Sequence, residues 1–296
     1  MSFVPKGVLP AMVTPLTKDY EVNEAATRKL VDFLIDGGVH GLFVVGTSGE
    51  FYGLSADEKR RVIEICMDQA AGRVPIYAGT NGITTKETIQ LTKMAEECKV
   101  DAVSILTPMF ISPSQDELYE HYKAVSEEVS VPILLYNNVP KTNVTLTPKT
   151  VRRLAEFENI VGVKDSSGDF TLTAEYIRNT RDMDFHVLAG RDTLIHACLC
   201  YGGKGSIAAC ANIAPRLLAD IYDKYVAGDI AGSLEAQYQI APIRMAFSLG
   251  SFPTVLKESL ELMGIEAGPS YGPVGKMSDE EKAQLKQVLT SVGVLS

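Results

Sequence analysis

The sequence predicts a (β/α)8 TIM barrel with a C-terminal three-helix extension. Eight short, nearly continuous runs of Val, Ile, Leu and Ala alternate with longer periodic segments, and after about residue 227 the short runs stop. A strand buried on both faces shows no polar side, and such strands belong to parallel sheets covered by helices. The barrel is expected over residues 1–227 and the extension, part of the same domain, over residues 228–296. A chain of 296 residues also suits two ordinary domains, but no linker, low-complexity tract or short-period repeat divides it.

The strand-like runs fall at residues 7–13, 41–46, 75–80, 101–107, 132–137, 160–166, 185–190 and 205–211. Between them the helices announce their starts. Ser55, Thr84 and Ser114 each stand three residues before a Glu, the pattern of a capping box that satisfies orphan N–H groups reciprocally. Thr147-Pro148 offers an N-cap followed by Pro at the first helical position. Gly37 and Gly72 stand where helix ends favour a residue tolerant of positive φ. A doubly wound sheet is the structural rival, but it calls for a glycine-rich phosphate turn after the first strand. Here Val13 is followed by Thr14, Pro15 and Leu16. Beyond residue 227, segments 230–249, 253–263 and 279–292 read as three further helices.

Composition excludes several classes of function. With 46% hydrophobic and 22% charged residues the chain is neither disordered nor fibrous. Its 28 basic and 37 acidic residues leave a net charge of −9 with no basic run, which speaks against nucleic acid as a partner. No uncharged segment approaches the roughly 20 apolar residues of a membrane span, and the N-terminal residues lack the apolar core of a leader. The five cysteines are an odd count set in apolar stretches, expected as small core residues in a reducing, cytoplasmic compartment.

Several motifs fail on inspection. Gly203, Gly205 and Ala208 fit a dinucleotide pattern, yet they lie inside a strand-like run and open no helix. Gly46-Thr47-Ser48-Gly49-Glu50 resembles a nucleophile elbow but ends in Glu where that motif needs Gly. The four histidines are scattered, and Cys198 and Cys200 are spaced to face apart on a helix. No metal site is expected.

Lys164 is the informative residue. It lies near the end of the apolar run 160–166, where alternation puts Gly162 and Lys164 on one face and Val161 and Val163 on the other. In a barrel the valines would pack on helices while Lys164 entered the lumen near the C-terminal face, where barrel enzymes do chemistry. Desolvation there disfavours the ammonium and yields a nucleophilic amine. A lysine that snorkels to solvent is the competing account. Two other strand ends favour chemistry: Tyr136 supplies a phenol fit to move protons, and Thr47, Ser48 and Gly49 supply hydroxyls and amides fit to hold a carboxylate.

These segments, 46–50, Tyr136-Asn137 before Pro140, and 162–166, resemble the pyruvate-dependent class I aldolase family of dihydrodipicolinate synthase and N-acetylneuraminate lyase. The resemblance spans the chain and includes Thr107-Pro108, residues 205–207 and Lys257. It implies a homotetramer, a dimer of dimers, without metal or organic cofactor. It also implies roles. Lys164 attacks the keto carbon of pyruvate, Tyr136 shuttles protons with Thr47 in the relay, Thr47 and Ser48 bind the carboxylate, and the Ile207 carbonyl faces the site. Departures fall where substrates are told apart. Lys141 stands where dihydrodipicolinate synthases usually place Arg, and Phe110 where they lend a tyrosine across the dimer contact. Arg191-Asp192 puts both charges at the end of the seventh strand, suited to the hydroxyls or distal carboxylate of a sugar acid; a helix N-cap Asp beside a surface Arg is the plainer account. The expected activity is reversible aldol cleavage or condensation between pyruvate and an aldehyde, on a 2-keto-3-deoxy sugar acid or similar hydroxylated 2-oxo acid. The alternatives are dihydrodipicolinate synthesis from pyruvate and aspartate semialdehyde, a dehydratase using the same imine, and a silent barrel that only binds a 2-oxo acid.

Overall fold

The computed structural model describes residues 3–295; Met1, Ser2 and Ser296, and what the sequence suggests of a leader at Met1 and Ser2, lie outside it. Eight strands form one parallel sheet in the order β1-β8-β7-β6-β5-β4-β3-β2. They are β1 (Gly7–Pro10), β2 (Leu42–Val44), β3 (Ile76–Gly79), β4 (Ala102–Leu106), β5 (Ile133–Asn137), β6 (Ile160–Asp165), β7 (His186–Ala189) and β8 (Gly205–Ala208). Between β1 and β2 the contact is thinner: a parallel bridge joins Ala11 to Phe43, and the Met12 N–H donates to the Phe43 carbonyl at 2.9 Å. The strand-like runs of the sequence extend beyond most of these ladders, because the apolar residues continue into the buried ends of the loops.

The barrel helices are α1 (Glu24–Asp36), α2 (Ala56–Ala70), α3 (Thr85–Glu97), α4 (Gln115–Glu128), the short α5 (Val139–Thr142), α6 (Pro148–Leu154), α7 (Phe170–Thr180), α8 (Ile195–Cys200) and α9 (Pro215–Val226). Each long helix buries a stripe at helical spacing; in α1 it is Ala26, Thr27, Leu30, Val31 and Leu34. Ser55 and Ser114 close complete capping boxes, whereas Thr84 makes only the forward bond and Glu87 turns back to the Ile83 N–H. At the end of α1 it is Gly38, at φ +82°, that takes the left-handed turn; Gly37 stays helical at −69°. Of the five cysteines, all free, Cys200 is exposed and Cys98 half-buried, so the expectation of uniformly buried thiols fails at these two.

Past α9 come α10 (Ile230–Gln239), α11 (Ala241–Met245), α12 (Thr254–Leu262) and α13 (Asp279–Ser291), with a 3-10 turn at Ala246–Leu249. The segment expected as one helix over 230–249 is therefore broken. Pro242 has no N–H to continue the ladder and its ring opposes the preceding turn, so a new helix starts at Ala241.

The lumen is filled by one apolar cluster with a residue from or beside every strand: Leu9, Ala11, Phe43, Tyr77, Ala102, Leu134, Val161, Leu188 and Ile207. Phe3 packs beneath it, its ring 5.6 Å from that of Tyr77. Val161 corrects the simple alternation expected of β6. Ile160 pairs with Ile133 and Gly162 with Leu134, so the register shifts and Val161 is an extra residue that turns inward, while Val163 joins the helix-facing core. A Cβ on Gly162 would sit 2.3 Å from the His186 carbonyl oxygen of β7, so the bulge admits only glycine at that point. Gly162→Ala is expected to destabilise the protein by about 1–3 kcal/mol, read as a lower denaturant midpoint at unchanged m-value.

Candidate active site

The ends of β5 and β6 lie side by side, Tyr136 registered against Lys164. Lys164 is only 3% exposed, its ammonium nitrogen 4.0 Å from the ring centre of Tyr136 and 4.8 Å from that of Phe43. Phe43 belongs to the lumen cluster, so the amine sits where the packed barrel opens into a cavity of about 270 Å³. Burial drives the amine below its ordinary pKa of 10.5; the Tyr136 phenol and the more distant Asp192 oppose that drift. Aromatic faces stabilise what charge remains without offering it water.

Tyr136 has its own set of partners. Burial alone would raise its phenol, but the Lys164 charge and hydrogen bonds from Thr47, Ser166 and Asn138 outweigh it, and the pKa falls below 10.0. The Asn138 amide donates to the phenol oxygen at 2.8 Å, and the Thr47 hydroxyl lies 3.4 Å from it. Beside Lys164, Asp165 holds the following loop through Asn137, Ser167 and Thr173. The amine and phenol are thus fixed by different elements and poised for opposite proton changes.

Thr47 and Ser48 line the cavity on the loop that leaves β2. That loop is bracketed by two non-glycine residues in the left-handed region, Val45 at φ +56° and Glu50 at +54°. For β-branched Val45 this is a costly conformation, held only because its surroundings over-determine it. The restraint is visible at Glu50. Its fully buried carboxylate meets the Lys257 ammonium of α12 at 2.5 Å and accepts from the Tyr271 N–H at 2.8 Å, while Lys257 also donates to the Pro269 carbonyl at 2.6 Å.

The other expected site residues separate into two groups. Ile207 and Lys141 reach the cavity, Ile207 through the base and Lys141 at the mouth, its exposed ammonium 5.9 Å from the Phe252 ring centre. Gly49 is not among the residues lining the cavity, and its carbonyl accepts from the Thr14 hydroxyl at 2.8 Å. Arg191 and Asp192 both line the cavity but do not pair with each other. Asp192 starts a 3-10 turn without capping it, accepts from the Cys210 N–H at 2.8 Å and faces Arg244 at 3.4 Å. Asn138, Ser166, Arg244, Phe247 and Phe252 also line the cavity and were not singled out from sequence. Ser166 was within reach, two residues beyond Lys164 and so on the same face. Arg244, on a helix 52 positions after Asp192, gave no sequence signal.

A buried amine at the C-terminal mouth of a parallel barrel, with a phenol over it, defines a lyase of the class I aldolase type. The chain belongs to the dihydrodipicolinate synthetase family, whose model matches residues 4–292. It is 37% identical over 297 residues to the 4-hydroxy-tetrahydrodipicolinate synthase of Methanopyrus kandleri, covering 100% of this chain and 99% of that one. The crystal structure of dihydrodipicolinate synthase from Thermotoga maritima superposes with a TM-score of 0.96 at 30% identity, over 99% of this chain and 100% of that one. A prophage protein of the same family from E. coli K12, solved in complex with pyruvate, gives 0.94 at 30% identity over 98% and 99% of the two chains. Among the described residues no helix is long and apolar enough to cross a membrane.

The geometry sets three expectations. Imine formation needs the neutral amine, so its rate with a small 2-oxo acid should rise with pH through a midpoint below 10.5. Tyr136→Phe removes the foremost group raising that pKa, so the midpoint should move to still lower pH, measured by borohydride trapping across a pH series. Lys257→Met leaves the Glu50 carboxylate buried and unpaired, and should cost about 3–5 kcal/mol of stability by denaturant titration.

Proposed function

We propose that this enzyme joins pyruvate to aspartate semialdehyde through an imine on Lys164. The buried amine at the cavity base, against the Tyr136 phenol, is the observation that carries the mechanism. Neutral Nζ adds to the keto carbon of pyruvate, and Tyr136 protonates the carbinolamine oxygen so that water departs. The protonated imine is an electron sink. The Tyr136 phenolate takes a methyl proton to give the enamine, whose carbon attacks the aldehyde carbon, and the developing alkoxide receives that proton back from Tyr136. Hydrolysis returns Lys164. Thr47 and Ser48 hold the pyruvate carboxylate, Thr47 extending the proton relay. The imine itself is the electron sink, so the scheme uses no metal or organic cofactor.

The choice of aldehyde rests on relatives named 4-hydroxy-tetrahydrodipicolinate synthase at 34–38% identity over nearly their whole length. Their names support the semialdehyde better than the sugar-acid substrate placed first on the sequence. Lys141 favours the sugar-acid lyase as the second reading, because a lysine keeps the charge of the usual arginine without its planar fork. Assembly as a homotetramer is part of the same proposal. Phe110, 95% exposed at φ +73°, supports a contact with a second copy.

Treatment with pyruvate and borohydride, followed by peptide mapping, should place a reduced adduct on Lys164 and none on Lys164→Ala. Tyr136→Phe should lower turnover about 10²-fold while still permitting trapping. Aspartate semialdehyde should then be consumed in preference to glyceraldehyde. A folded protein that takes up no pyruvate adduct would end the imine scheme.

A further inference from the structure

We propose that Arg244 and Arg191 together clamp an anionic group at the far end of the aldehyde, and so select aldehydes that terminate in a carboxylate. The inference rests on the imine reading above and adds to it the residues that choose the second substrate. The cavity that Thr47 and Ser48 line also carries two guanidinium groups, from the end of β7 and from α11. Against them stands one lining carboxylate, Asp192, and it is already engaged, by the Cys210 N–H at 2.8 Å and by the Arg244 Nε at 3.4 Å. With Lys141 at the mouth, three cations surround the cavity above Lys164 and a single anion answers them.

The two arginines are held ready in different ways. Arg244 is anchored through Nε to Asp192, and its guanidinium lies 4.9 Å from the ring centre of Phe247, so the fork is oriented before anything binds. The Asp192 contact is made through Nε and the stacking through the guanidinium face. Arg191 makes no ion pair there, and its Nε is buried without a hydrogen-bond acceptor. Leaving a guanidinium donor in that condition is costly unless a ligand completes it. Gly168, at φ +84°, makes the room: a Cβ there would lie 3.1 Å from the Arg191 Nε. A carboxylate bridging the two groups satisfies both, with the planar match that an ammonium lacks. Lys141, exposed and facing Phe252, is left as a steering charge at the entrance.

The test compares succinic semialdehyde with butanal, equal in chain length and differing in the terminal carboxylate, at saturating pyruvate. The unaltered enzyme should favour the semialdehyde in kcat/KM by 10²-fold or more. Arg191→Met and Arg244→Met should each cut kcat/KM for the semialdehyde by about tenfold to a hundredfold, mainly through KM, and leave butanal unchanged. Arg244→Lys should recover part of the loss, and Lys141→Met should preserve the preference. Arg244→Met also strips Asp192 of its ion pair; if it fails to fold, Arg191→Met, which breaks no ion pair among the described residues, and Arg244→Lys decide the matter. Equal handling of the two aldehydes, consumption of neither, or a preference that survives both arginine variants overturns the clamp, provided the pyruvate adduct still forms on Lys164. Loss of that adduct in the unaltered enzyme overturns the imine reading, and the clamp with it.

Discussion

The buried ion pair between Glu50 and Lys257 is the fastening on which the working end of this barrel depends. A carboxylate at 0% exposure and an ammonium at 2% are costly to desolvate, and here each is satisfied again by backbone, Tyr271 for one and Pro269 for the other. The pair ties two things that are distant in sequence. One is the strained loop carrying Thr47 and Ser48; the other is the set of helices that brings Arg244, Phe247 and Phe252 over the mouth. An apolar contact of equal size would slide. A charged pair with fixed backbone partners holds one geometry, which a site lined by both hydroxyls and guanidinium groups requires.

The barrel below solves a different problem, keeping an amine dry yet reachable. Phe43 and Ile207 fill the lumen to the level of Lys164, so water does not approach from beneath, and the rings of Phe43 and Tyr136 flank the ammonium. Each group of the Lys164–Tyr136 pair moves the other toward ionisation, against a burial that favours neutrality in both.

Much of this was legible in the sequence because it follows from period and parity. Continuous apolar runs gave the parallel barrel, and parity gave the inward lysine on β6 with the phenol beside it. Parity failed where the backbone did: the register shift opposite Ile133 turned Val161 into the lumen, and no propensity announces a bulge. Local chemistry was similarly partial. The serine caps were plain, but whether Gly37 or Gly38 takes the left-handed turn depends on how the chain leaves α1. The roof was illegible for a stronger reason. Arg244 and Lys257 meet their partners across 52 and 207 positions, and only the docking of the extension brings them there.

That division bears on how such an enzyme acquires its substrate. The imine chemistry is carried by strand ends, where a shift of one residue would turn Lys164 or Tyr136 out of the site. The groups proposed to meet the second substrate lie instead on α5, on the turn after β7 and on α11, elements the strand register does not constrain. Lys141 can therefore give up the fork that an arginine would present without disturbing Lys164. A fork supplied from α11 can replace it in the same cavity, provided the extension stays fixed. It stays fixed through Glu50, on the loop that also bears Thr47 and Ser48. In the proposed scheme, selection of the aldehyde and capture of the keto acid are thus mechanically joined through one buried carboxylate, although their binding groups share no element of secondary structure.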